Sequence, residues 1–256
     1  MDKERKEQLS RELVELGGHF WAGEAEISRQ FFSEKRSADE QARWLRLQVY
    51  KEMYGSGLVG PKEGIIRSFL DDLRQRIETI STMAERGDFE RDLRVLREEF
   101  THFKLFADAL ESVTGKPVDK DELKTWQLPE DKKLQAVRDE FRKSGKVGEL
   151  AIMFTEGGGS SLFFEGKKIG GDPVSDTIAQ VCSVIFTDEL EHGEHSANDV
   201  DEEIDTEEDW AKVREMVTAI CQQRLRMRYS MFGMPVDEQR IEEITEGEIE
   251  PLKMTV

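Results

Sequence analysis

An all-α fold is what the 256-residue sequence predicts, from three features. Glu, Leu, Arg and Lys are abundant while Pro occurs only 6 times, a composition that favours helix. Apolar residues recur at spacings of three and four, the period of one helix face. The stretches patterned in this way are bounded by glycine, proline and hydroxyl residues that start and stop helices.

The elements follow in order. Residues 10–32 form a first helix whose apolar side chains are Leu13, Leu16, Phe20, Trp21, Ile27 and Phe31. Residues 38–54 form a second, with Trp44, Leu45, Leu47, Tyr50 and Met53, stopped by GSGLVGP. A third over 61–86 carries Ile65, Ile66, Phe69, Leu73, Ile77 and Ile80, and Gly87 closes it. A fourth over 89–113 carries Leu93, Leu96, Phe100, Phe103, Phe106 and Leu110. The polar stretch TGKPVDKDELKTWQLPED then reads as a crossover, with a short helix after it over 132–142. Helical patterns resume over 148–166 and 176–195. The last helix, 206–232, opens on Thr206 as N-cap, with Glu207, Glu208 and Asp209 in the first turn, where negative charge suits the helix dipole. ELAIMFTEGGGSSLFFEG reads either as a helix interrupted by glycines or as a hairpin turning at Gly157–Gly159. The helix is preferred, because no other segment offers a strand to complete a sheet and a lone hairpin is marginal. Residues 1–232 are expected to form one helical domain, and 233–256 a polar, irregular tail.

Charge and cysteine content restrict the function. With 37 Lys+Arg against 55 Asp+Glu the net charge is −18. A phosphate backbone needs a basic face, so nucleic acid is not the expected partner, nor is an anionic membrane surface. Two cysteines argue against a disulfide scaffold and a Cys-based zinc or iron–sulfur site. No apolar run approaches the roughly 20 residues that span a bilayer. The N-terminus MDKERKEQLSRELVEL is charged and helix-like rather than a signal peptide, so the expected location is the cytoplasm. Most of the acidic block FTDELEHGEHSANDVDEEIDTEED reads as solvated surface, His195 included.

Two short segments carry chemistry. Glu99 and His102 stand three apart in EEFTH, and Glu189 and His192 three apart in DELEH. On a helix such a pair shares a face. Glu99 and His102 share theirs with Leu96, Phe103 and Phe106, and Glu189 and His192 share theirs with Cys182, Ile185 and Phe186. Ionisable groups on apolar faces are costly unless paired or metal-bound. Two further acids sit the same way: Glu24 among Phe20, Trp21, Ile27 and Phe31, and Glu156 among Ile152, Met153 and Phe163. Glu26 falls on the polar side. Carboxylate and imidazole donors suit iron or manganese, and two divalent cations nearly balance four carboxylates. The plainer reading of the same residues is hydrogen-bonded core histidines and a Glu24 salt-bridged to an arginine. Cys182 reads as a buried, inert thiol.

In the order Glu24, Glu99/His102, Glu156, Glu189/His192, the chain resembles the ferritin-like di-iron carboxylate superfamily, which includes rubrerythrins, bacterioferritins, the ribonucleotide reductase small subunit and bacterial multicomponent monooxygenases. The resemblance spans residues 10–197. It implies a four-helix bundle, here with two extra helices in the first half and a C-terminal helix, holding two iron ions, with manganese or a mixed pair as the substitutes. Glu24 and Glu156 would be terminal ligands, Glu99 and Glu189 bridging ones, and His102 and His192 one per metal. Asp188 would orient a histidine from outside the ligand set. The first half departs from the family, with two added helices between Glu24 and Glu99, so Glu52, near Val49 and Tyr50, is the substitute for Glu24. The activity implied is oxygen activation by an oxidoreductase, an oxygenase or oxidase of a small organic substrate, because extra helices can build a substrate cavity. The expected partners are dioxygen, that substrate, an electron donor and a second copy of the chain. A ferroxidase or peroxide reductase is the alternative, although a Cys-x-x-Cys rubredoxin module is missing; a metal-free acidic helical interaction protein is the alternative of another class.

Overall fold

The computed structural model describes residues 1–55, 71 and 73–252, with backbone alone over 190–199. The described residues are helical and contain no strand, so the all-α expectation holds, and 150–166 is helix rather than hairpin. Among them no helix is long and apolar enough to cross a membrane. The chain divides into two compact units, one made of residues 1–36 and 128–256, the other of residues 37–127. The single domain expected over 1–232 is thereby replaced by an outer unit assembled from both ends of the chain and an inner one inserted between them.

In the outer unit, α1 (Lys3–Phe32) starts where the Asp2 side chain accepts from the Arg5 backbone N–H. It buries Leu13, Leu16, Phe20, Ile27 and Phe31 on one stripe. After the insertion come α5 (Pro129–Arg142), α6 (Lys146–Glu156), α7 (Gly159–Gly166), α8 (Pro173–Glu203), α9 (Glu207–Met231) and α10 (Glu238–Thr245). Thr206 caps α9 as the sequence implies, accepting from Asp209 N–H. Helix α9 packs against α1, α5 and α6, and α7 against α1 and α8. Between α5 and α6 the chain turns so tightly that a Cβ on Gly148 would collide with the Phe141 carbonyl oxygen. The tail expected to be irregular contains α10, which buries Ile241 and Ile244. Its two apolar residues are three apart, too short a pattern to stand out among eight mostly charged positions.

In the inner unit, α2 (Ala38–Tyr50) opens on a capping box between Ser37 and Glu40 and runs into a π turn, Lys51–Gly55. Trp44, Leu45, Leu47 and Val49 are fully buried on α2. Helix α3 (Met83–Thr114) opens on a second capping box, Thr82 with Glu85, and ends at Gly115 in the left-handed conformation, φ 67°. Short α4 (Lys120–Leu123) follows. The rings of Trp44 and Phe106 meet edge to face at 6.1 Å and fix α2 on α3. Of the third helix expected over 61–86, residues 61–70 and 72 lie outside the described residues, while 71 and 73–77 are helical. The chain then turns at 78–79 and α3 begins at Met83, so Gly87 lies inside a helix instead of ending one. The Thr82–Glu85 cap satisfies orphan amides four residues earlier than the glycine, and one helical glycine costs only about 1 kcal/mol relative to Ala.

Candidate metal centre

The π turn and α3 build the site. Glu99 and His102, three apart on α3, present their side chains from one face. His102 is fully buried on it, packed in the same stripe as Phe106 and Ala109, and Glu99 is half-buried. Glu52 comes from the π turn that extends α2. Single π turns inside helices are uncommon and frequent at functional sites, because the extra residue rotates the side chains that follow. One donor atom from each of Glu52, Glu99 and His102 lies within 4.8 Å of the others. Two carboxylate oxygens and an imidazole nitrogen at that spacing fit the hard-to-borderline donor set of iron or manganese. Two carboxylates so close repel each other when both are ionised, and a divalent cation between them removes that cost. The Tyr50 and Tyr54 rings, one at the end of α2 and one in the π turn, meet at a tilt with centroids 5.1 Å apart.

Glu24 has a different role. It is buried at the centre of the outer unit, where both carboxylate oxygens accept from guanidinium groups. Arg224 Nε donates to Oε1 at 3.0 Å and Nη2 to Oε2 at 3.2 Å; Arg228 Nε donates to Oε2 at 2.7 Å. Arg224 Nη1 also donates to the Thr155 carbonyl near the end of α6. Burial pushes the Glu24 carboxyl upward, but the Arg224 and Arg228 charges and hydrogen bonds outweigh it and hold the group below its ordinary value. The expectation that Glu24 is a terminal metal ligand is therefore replaced by the plainer one, an acid paired with arginine, and the substitute Glu52 joins Glu99 and His102.

The remaining expected ligands are placed as follows. Glu156 is exposed at the last position of α6, where its charge acts on Arg138 and Arg224. Asp188 and Glu189 are half-buried on α8. A Cβ on Gly159 would lie 3.9 Å from the Glu189 Oε2, ordinary van der Waals contact, whereas one on Gly158 would collide with the Trp21 ring and with Glu24 Oε1 at 2.8 Å. The side chains of His192 and His195 lie outside the described residues. Cys182 is fully buried and its thiol is pushed up to about 12 by desolvation, which keeps it protonated and inert.

Arg224 and Arg228 escaped the sequence reading, and a signal for them existed. They stand four apart on a helix whose other inward positions are Val217, Ile220, Leu225 and Met227. Charged residues on a buried face need opposite charge, and Glu24 and Glu156 were the apolar-face acids without a histidine three residues on.

No protein-family model, curated protein or solved structure matches the chain.

Proposed function

We propose that the chain is a non-haem metal oxidoreductase that activates dioxygen for an oxygenase or oxidase reaction on a small organic substrate. The convergence of Glu52, Glu99 and His102 carries this reading. Iron bound there would supply the redox chemistry that dioxygen requires. The chain's own part is to hold two carboxylates and one imidazole together, to keep His102 dry, and to orient all three from rigid helical turns. Two ions per chain, the stoichiometry that the repeated Glu-x-x-His implies, would draw on Glu189 and His192 for the second, with Asp188 beside them. An electron donor completes the reaction when the substrate supplies fewer electrons than dioxygen consumes.

The test is anaerobic titration with Fe(II), metal analysis, and then exposure to air with the optical spectrum followed. The intact chain is expected to bind iron and oxidise it, whereas Glu52→Ala, Glu99→Ala and His102→Ala each lose 10-fold or more in metal affinity, an order of magnitude typical of disturbed metal sites. Equal metal affinity in all three variants and the intact chain would remove the proposal and leave the acidic interaction protein as the reading. Iron turnover that proceeds at full rate with no organic substrate present would favour the ferroxidase instead.

A further inference from the structure

The metal group lies wholly inside the inner unit. Glu52, Glu99 and His102 all fall within residues 37–127, whereas Glu156, Glu189 and His192 belong to the outer unit. One carboxylate from the π turn, with a carboxylate and an imidazole from α3, can therefore meet an ion without a donor from the outer unit. The three donors stand where the end of α2 passes α3. The Trp44 ring of α2 meets Phe106 of α3. From that contact Glu52 is about 12 Å further along the chain, and Glu99 about 10 Å back along α3, at about 1.5 Å per residue. The two distances match, as they must where antiparallel helices bring the same three side chains together.

Apolar burial holds α2 more firmly than the turn that follows it. Trp44, Leu45, Leu47 and Val49 are fully buried on α2, and Phe106, Ala109 and Leu110 are buried on α3. The π turn rests on α3 as well, but Lys51, Glu52, Met53 and Tyr54 are each only half-buried. The turn thus draws less on the core and carries one of two carboxylates that lie close together. Ionised and with no cation between them, Glu52 and Glu99 push the turn and α3 apart. With a divalent cation between them, the same two groups pull the turn and α3 together. His102 is fully buried, so its packing fixes the third donor in place.

Given the metal centre proposed above, we propose that the ion held by Glu52, Glu99 and His102 is a staple of the inner unit. It is a single ion, bound without the second Glu-x-x-His pair, and it fastens the π turn to α3. The staple needs a divalent charge and not a redox couple, so Mn(II), which takes the same carboxylate and imidazole donors, serves as well as iron. An ion that binds only a folded unit stabilises that unit by mass action. The inner unit gains and the outer one does not. Two ions bridged by Glu99 and Glu189 would instead draw on both units and stabilise both.

Titration of the full chain with Mn(II) tests the staple, with bound ion followed by electron paramagnetic resonance and amide hydrogen exchange read helix by helix. At free Mn(II) about 100 times the dissociation constant, the slowest amides of α2 and of residues 99–110 are expected to exchange up to about 100-fold more slowly, and those of α1 and α9 to change by less than about twofold. Glu189→Ala and His192→Ala, both in the outer unit, keep the full slowing. Glu52→Gln, with the helical circular dichroism of the metal-free chain, loses it. Slowing that α1 and α9 share, or that Glu189→Ala abolishes, overturns the staple in favour of a bridged centre. Mn(II) that binds without slowing exchange in α2 and α3 overturns the staple and leaves the metal centre standing. Absence of any bound Mn(II) overturns it too, and the Fe(II) titration above then decides the metal centre separately.

Discussion

Glu24 shows how one buried acid is made tolerable. A lone carboxylate in that position would protonate, but Arg224 and Arg228 occupy both of its oxygens. Removing one member of a buried ion-pair group typically costs about 3–5 kcal/mol, because the partners are left charged and dry. Glu24→Ala is accordingly expected to lose about that much in urea unfolding while keeping the metal affinity of the intact chain. The pH dependence has a definite sign. The folded carboxyl titrates below its unfolded value, so between the two the unfolded chain binds more protons and stability rises with pH. The contribution is complete above the ordinary range near pH 4.3 and is lost as pH falls through the folded value. Unfolding followed from neutral to acid pH checks this: the intact chain should lose stability there more steeply than Glu24→Gln. The face of Glu24 could be read from Phe20, Ile27 and Phe31 around it. Its partners were marked only as two arginines on an otherwise apolar face of α9, and the pairing itself, between residues 200 positions apart, leaves no local pattern. Glu99 and His102 were legible for the opposite reason: both ligands lie within one helical turn.

At the scale of elements, helix starts were written more plainly than helix ends. Ser37 with Glu40 and Thr82 with Glu85 are hydroxyl-x-x-Glu boxes, and each begins a helix. Gly87 in α3 and Gly148 in α6 show that a glycine has several uses. Gly87 has nothing within 4 Å of a would-be Cβ, so it neither stops nor packs anything among the described residues. Gly148 is required, since a Cβ there would collide with the Phe141 carbonyl. Gly148→Ala is therefore expected to cost about 3 kcal/mol as the α5–α6 turn is forced open. Gly87→Ala should stabilise α3 by up to about 1 kcal/mol. Thermal unfolding of the two variants side by side would show opposite shifts in Tm; shifts of the same sign would contradict this account of the turn. The π turn was not foreseen, because it arises from how α2 meets α3 and has no sequence signature of its own.

At the scale of the molecule, the inner unit is continuous in sequence and the outer one is not. Helix α1 packs on α7, α9, α8 and α10, all contributed by residues after 158. The apolar periodicity that marked each helix carries no information about which helices pair across an insertion, which explains why one domain was read where two units exist. A chain ending at Asp205 lacks Arg224, Arg228 and the faces of α9 and α10 that cover Gly23. Amide hydrogen exchange in α1 of that truncated chain should approach the rate of an open helix, whereas protection equal to that of the full chain would show that α9 and α10 are dispensable.

Synthesis proceeds from the N-terminus, and this arrangement makes α1 wait. Its Glu24 emerges 200 and 204 residues ahead of the two guanidinium groups that neutralise it. At about 5–20 residues per second that interval is roughly 10–40 s. During it the inner unit, built from near neighbours, can form, while α1 trails an uncovered greasy stripe and an unmatched anion. The growing polypeptide therefore passes through a long window in which the first helix is at risk of adhering to other chains, and closes it only when Arg224 and Arg228 have been added.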